Sequence, residues 1–217
     1  MHQNPIGQLQ HGAPGEATRL SDQKHQSIIA AATEVFLQLG YGAASMDSIA
    51  SEAKVSKQTI YNHFHSKEEL FKAIIAGVTV SLMEPLCLEG TTEIRPEQQL
   101  RRFARDFFEL MLQPSSLALY RLIIAESARF PELGPSIYDA GAGKLIEVLA
   151  EYLARQTQQG ALAVSKPQWA AEQFIGMLSG RVQFRALLAE GERPSSREID
   201  GRVEHAVTAF LKQYAAE

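Results

Sequence analysis

The stretch Ser45–Leu70, SMDSIASEAKVSKQTIYNHFHSKEEL, constrains this chain of 217 residues more than any other. It reads as two short helices joined by a tight turn, followed by the start of a third. Ser45 is a good N-cap, and Ile49, Ala50 and Ala53 then share one helical face whose small residues let another helix approach closely. Ser56 caps the next helix, with Val55 before it and Ile60 four residues after it placed to form a hydrophobic staple. Ile60 and Phe64 lie four apart, so one face of that helix is buried. Its other face carries Lys57, Gln58, Thr59, Tyr61, Asn62 and His63. A short helix with an apolar back and a front of donors and acceptors suits a DNA major groove. There Gln and Asn pair with adenine edges, and Lys with guanine or phosphate.

Several spacings make a resemblance specific. Ala32, Phe36, Gly40 and Tyr41 form AxxxFxxxGY, SMDSIASEAKVS follows, then TIYNHFHSKEELF, and Ser66-Lys67-Glu68-Glu69 reads as a capping box. Over residues 25 to 75 the sequence resembles the DNA-binding domain of the TetR family of bacterial transcriptional regulators. One departure is visible: Lys54 stands in the turn where that family usually has Gly. If the position needs a left-handed backbone, Lys54 costs about 1 kcal/mol relative to Gly and adds a positive charge near DNA. The expected DNA-facing set is Lys24, Ser45, Met46, Lys54, Ser56, Lys57, Gln58, Thr59, Tyr61, Asn62, His63 and Lys67. Lys67 is placed at a helix N-terminus to meet a phosphate. Lys24 reads equally as a phosphate contact or a solvated lysine. Tyr61 is expected to grip phosphate, and Lys57 and Gln58 to read bases.

Charge does not argue for nucleic acid. The chain carries a net charge of -4, and residues 1–70 hold five cations (Arg19, Lys24, Lys54, Lys57, Lys67) against seven carboxylates. Non-specific DNA binding should therefore be weak, with affinity resting on specific contacts and dimer geometry. One cysteine, Cys87, excludes an intrachain disulfide framework and fits a reducing compartment. No apolar run reads as membrane-spanning, and the N-terminus lacks a basic-then-apolar layout. The expectation is a cytoplasmic protein with no membrane partner.

The chain reads as all-α with about nine helices and no strands. Residues 1–20, rich in Gly, Pro and Gln, read as a flexible arm; His2 and His11 have nothing nearby to complete a metal site. Residues 21–66 form the DNA-binding domain, whose first helix (about Ser21 to Leu39) is ended by Gly40. Residues 67–88 form a connector helix running to about Pro85, and 88–96 are a polar break. Residues 89–217 form a ligand-binding and dimerisation domain of five helices: about Pro96 to Gln113, Ser115 to Phe130, Pro131 to Thr157, Pro167 to Ala189 and Ser195 to Tyr214. The third of these is irregular around Pro135, Gly141 and Gly143. YRLIIAESARFPELG also resembles the C-terminal domain of the AefR-like subgroup.

A reader of two half-sites must be a dimer. The last two helices are the expected interface: Gly176, Gly180, Phe184, Leu187 and Leu188 on one, Val203 and Phe210 on the other. Intramolecular packing is the rival reading, but the eighth helix is apolar on more than one face. Phe103, Phe107, Met111, Tyr120, Ile124, Trp169, Phe174 and Met177 are candidate linings of a pocket, or a solid core. The resemblance implies a small, often hydrophobic effector that releases double-stranded DNA, through movement of the connector helix. No cofactor or metal site is indicated. GAGK at Gly141–Lys144 lacks the spacing of a phosphate loop, and no nucleophile–base pair or paired carboxylates is present, so an enzyme is disfavoured. An effector-independent regulator and an activator remain open alternatives.

Overall fold

The computed structural model describes residues 14–87, 95–188 and 193–216. Its elements are α1 (Pro14–Ala43), α2 (Met46–Ala53), α3 (Lys57–Phe64), α4 (Lys67–Cys87), α5 (Pro96–Met111), α6 (Pro114–Ser127), α7 (Leu133–Tyr138), a π-helical turn (Asp139–Gly143), α8 (Lys144–Gln158), α9 (Pro167–Leu188) and α10 (Ser196–Tyr214). The segments α7, π-turn and α8 follow without a gap and form one irregular rod, giving nine rods among the described residues. A Cβ on Gly141 would lie 2.7 Å from Ile75 Cγ2, so glycine at this position lets α4 and the π-turn meet side chain to backbone. The described β pairing is a single bridge between Leu162 and Ala215.

Two boundaries differ from expectation. The first helix starts at Pro14 rather than Ser21, with proline where a first turn tolerates it, so residues 14–20 are helical and not a loose arm. Residues 1–13, with His2 and His11, lie outside the described residues, as do 88–94 of the polar break. The connector runs past Pro85 to Cys87. By length and composition alone it is also apolar enough to cross a membrane, contrary to the sequence reading. Here it packs instead against α1, α5 and α8.

Two apolar cores meet along α4. One joins Ile28, Phe36, Tyr41, Ile49, Ile60 and Phe64 to Leu70, Phe71 and Ile74. The other joins Leu82 and Leu86 to the inner faces of α5, α8, α9 and α10. The first core is not built from the N-terminal helices alone, because Leu119 of α6 and Leu133 and Ile137 of α7 complete it. Gly40 (φ 80, ψ 161) kinks α1 beside Glu126 of α6. Glu126 is buried there with Oε2 lacking a hydrogen-bond partner.

Candidate nucleic-acid interface

The two short helices form for local reasons. Ser45 accepts from the Ser48 amide at 3.0 Å, and the Ser48 hydroxyl accepts from the Ser45 amide at 3.0 Å. This reciprocal pair satisfies two donors at the start of α2. Lys54 ends the helix at φ 54, ψ 41, the left-handed conformation that the turn demands. Val55 then donates to Ala50 O at 3.1 Å, closing the turn. Ser56 accepts from the Thr59 amide at 3.1 Å and shares a 2.8 Å hydroxyl contact with Thr59. Ile60 is fully buried and Val55 packs against the same core, as a hydrophobic staple requires.

The result is a capped helix α3 whose outer face exposes Lys57, Gln58, Tyr61 and Asn62. Lys24, Ser45, Lys54 and Ser56 are exposed around it, and Thr59 and His63 are half-buried. His63 faces sideways onto His25, their ring centroids 5.8 Å apart, while His25 lies 4.6 Å from the Phe64 ring. Two pairs join exposed polar groups on this face. Gln58 Nε2 donates to Asn62 Oδ1 at 2.9 Å, and Lys57 Nζ meets Asp47 Oδ2 at 2.7 Å. That hydrogen bond raises the Lys57 pKa above the ordinary lysine value. Beyond α3, His65 takes φ 53, ψ -40 while Ser66 N donates to Phe64 O, a strained three-residue turn that aims α4.

Two of the expected DNA-facing side chains turn inward. Met46 is buried in the first core, because its position on α2 shares the face of Ile49 and Ala50. Lys67 donates to Tyr41 O at 2.8 Å and Ala44 O at 3.0 Å and lies 4.5 Å from the centre of the Tyr41 ring. It therefore satisfies carbonyls at the end of α1 rather than reaching outward. Burial pushes its pKa down, with the Glu126 carboxylate pulling the other way.

The C-terminal candidates also sort differently from the sequence reading. Phe103, Phe107, Met111 and Phe174 are buried in the second core, where Phe174 lies 6.2 Å from Phe103 and 4.9 Å from Phe210. Tyr120, Ile124, Trp169 and Met177 are exposed instead, so the eight do not surround one site. Val203 and Phe210, expected at a dimer contact, are buried inside the chain on the inner face of α10. On α9 the inner face is Ala170, Ala171, Phe174, Leu178 and Val182. Its opposite side exposes Trp169, Gly176, Met177, Gly180, Phe184 and Leu188, with Leu187 half-buried. Phe184 is 66% exposed and Leu188 73%. A Cβ at Gly176 would meet nothing within 4 Å, so the chain's own packing does not require glycine there, whereas Gly180 (φ 15, ψ -123) leaves the helical conformation and kinks α9.

A profile of the bacterial regulatory proteins of the tetR family matches residues 28–74, and one of the AefR-like transcriptional repressor C-terminal domain matches residues 98–216. The chain belongs to the TetR family. It is a helix-turn-helix transcriptional regulator and not an enzyme. The transcriptional activator FasR of Mycolicibacterium smegmatis is 39% identical over 104 residues, 47% of this chain and 46% of its own. That match spans less than half the length of FasR. The regulator SrpR of Pseudomonas putida is 25% identical over 179 residues, 82% of this chain and 79% of its own. Among solved structures, a TetR-family regulator from Mesorhizobium loti superposes with a TM-score of 0.76 at 32% identity, covering 90% of this chain and 98% of that one. The flavonoid-responsive regulator FrrA superposes with a TM-score of 0.68 at 32% identity, covering 89% and 98%. Helix α3 of this TetR-family regulator falls inside the first matched segment, and the α9 stripe inside the second.

Proposed function

We propose that this regulator is a homodimeric repressor, released from a palindromic operator by a small hydrophobic effector. The reading rests on one juxtaposition: a chain with a polar, exposed α3 also carries an exposed apolar stripe on α9. Two copies joined along that stripe, with Gly176 and Gly180 allowing close helix contact, would present two α3 helices to half-sites ~34–36 Å apart. In this reading residues 21–66 are the DNA-reading head, 67–88 the connector and 89–217 the dimerising and effector-binding body. Lys57, Gln58 and Asn62 address bases, while Lys24, Ser45, Lys54, Ser56 and Tyr61 address the backbone. The protein works in the cytoplasm, where the DNA is. Similarity to a flavonoid-responsive regulator supports an aromatic effector class. Such a molecule would wedge apart the Phe103–Phe107–Phe174 packing and shift α4.

Similarity to FasR, a named activator, favours a second reading in which the same DNA contact turns transcription on. Gel-shift titration on the chain's own upstream DNA, with a salt series and a panel of aromatic and fatty compounds, tests the proposal. Operator binding relieved by one compound supports it. A compound that binds the dimer and leaves operator affinity unchanged sinks the release mechanism. A typical coupling of about 1–3 kcal/mol would change affinity by roughly 5–150-fold.

A further inference from the structure

The head of this regulator is acidic where a DNA-binding surface is expected to be basic, and one of its carboxylates sits at the reading face. Asp47 is in the first turn of α2 and Lys57 is the first residue of α3. Their side chains meet at 2.7 Å while remaining 72% and 47% exposed. An exposed ion pair of this kind contributes little to folding, typically about 0–1 kcal/mol. Its presence on the face that carries Gln58, Tyr61 and Asn62 therefore calls for a binding account rather than a stability account.

We propose that Asp47 is a specificity-determining residue that holds Lys57 back from non-specific phosphate contact and aims it at one base edge. This rests on the reading of α3 as the DNA-contacting helix. The argument concerns which partner Lys57 can gain. Non-specific attraction comes from cations that displace counterions from phosphates, and a lysine already neutralised by a carboxylate displaces none. Near a random duplex the Asp47–Lys57 pair contributes a dipole rather than a charge, and Asp47 itself repels the backbone. At the correct site the account differs. An ammonium has three donors, and one bond to Asp47 leaves two for a base acceptor such as guanine O6 or N7. The carboxylate then fixes a flexible side chain in one orientation before the base is met. Asp47 lowers affinity for all DNA, but least for the DNA that gives Lys57 a base partner, so the ratio of specific to non-specific binding rises.

The test uses the full chain, two duplexes and a charge cycle. One duplex is that selected by the wild-type chain from a random library, and the other is a shuffled duplex of the same length and composition. Binding is measured by fluorescence anisotropy across a salt series for wild type, Asp47→Asn, Lys57→Ala and the double variant. Asp47→Asn is expected to tighten binding to the shuffled duplex roughly three- to tenfold. It should also steepen its dependence on log salt by about 0.9, the signature of one new phosphate contact. The selected duplex should gain less, so the ratio between duplexes falls. In the Lys57→Ala background, where Asp47 is an unpaired carboxylate, the same change should relieve repulsion on both duplexes alike and leave their ratio unchanged, and Asp47→Glu should keep the wild-type ratio. Equal tightening on both duplexes, or the same fall in their ratio without Lys57, would overturn the proposal and reduce Asp47 to general charge repulsion. A wild-type chain that selects no duplex would overturn the reading of α3 beneath it, which the cycle separates from failure of Asp47 alone.

Discussion

Replacing Gly40 by Ala should damage this protein more than any other single methyl added to the head. Gly40 holds φ 80, ψ 161, a region that is essentially closed to residues with a Cβ. Holding alanine there costs about 1–3 kcal/mol in backbone strain. The added Cβ would also lie 2.8 Å from Glu126 Oε1, closer than real Cβ contacts come. Glu126 is only 8% exposed and its Oε2 lies 3.7 Å from Arg129 Nη1, so moving the carboxylate aside disturbs that pair and the α1–α6 packing. Overpacking of this kind costs about 1–3 kcal/mol more. For a chain of this size each kcal/mol moves Tm by about 2–4 °C, so Gly40→Ala should melt roughly 5–20 °C below wild type. Thermal and urea denaturation at one fixed protein concentration is the assay, because self-association would make Tm depend on concentration. The double variant Gly40→Ala/Glu126→Ala should recover the steric part and keep the backbone part, leaving a coupling energy of about 1–3 kcal/mol. A single variant within about 0.5 kcal/mol of wild type, which is the usual scatter for harmless surface changes, would refute the reasoning. A cycle without coupling would refute its steric half.

Phe184→Glu places a charge in the exposed α9 stripe and should convert a dimer to monomers in sedimentation velocity while leaving helical circular dichroism unchanged; an unaltered dimer would remove α9 from the interface. Lys54→Gly relieves a left-handed lysine and should raise stability by about 1 kcal/mol in urea titration, at the cost of one cation on the face proposed to meet DNA. Tyr152 is buried, and desolvation pushes its pKa up to about 12, opposed by Arg155. Because the folded value lies above the unfolded one, this group's contribution is complete below pH 10 and is lost as pH rises through 12. Tyr152→Phe should therefore unfold less steeply between pH 10 and 12, followed by helical circular dichroism, and an unchanged alkaline limb would show that Tyr152 ionises freely.

The parts of this fold that are legible in the sequence are those decided within a few residues. The caps at Ser45 and Ser56, the staple of Val55 and Ile60, and the left-handed turn at Lys54 all depend on neighbours three to five positions away. Periodicity also reveals that α9 is apolar on two sides. What it cannot reveal is which body covers each side. Val203 and Phe210 follow the same helical spacing as a dimer seam, yet α5 and α9 cover them within the chain. Tyr120 and Ile124 sit in an apolar run with Leu119, but only Leu119 faces inward. Lys67 misleads for a related reason. Its place at a helix N-terminus suggests phosphate, whereas the carbonyls it serves belong to Tyr41 and Ala44, more than twenty residues earlier. Met46 follows a cap, where exposure is common, and is drawn inward by Ile49 on the same face.

The stretch read as a subgroup resemblance, YRLIIAESARFPELG, turns out to carry the physical link between body and head. Leu133 closes the first core, Phe130 packs edge-on against Tyr41 at 5.2 Å, and Glu126 lies against Gly40 and near Lys67. Ser136 adds a 2.8 Å hydrogen bond to Glu68 at the start of α4. The head therefore has no complete core of its own, since part of its packing is supplied by the segment that precedes α8. Close-packed interiors pass small shifts on rather than absorb them. A displacement of α6 must then be felt at the end of α1 and the start of α4 together, the two places that set the pose of α2 and α3. This route does not depend on α4 swinging alone, and under the proposed release mechanism it would place the control of DNA affinity in the α1–α6 seam as much as in the connector. The Gly40–Glu126 cycle bears on it directly: a seam loose enough to accept the extra methyl could not transmit such a displacement, and α4 would have to carry it unaided.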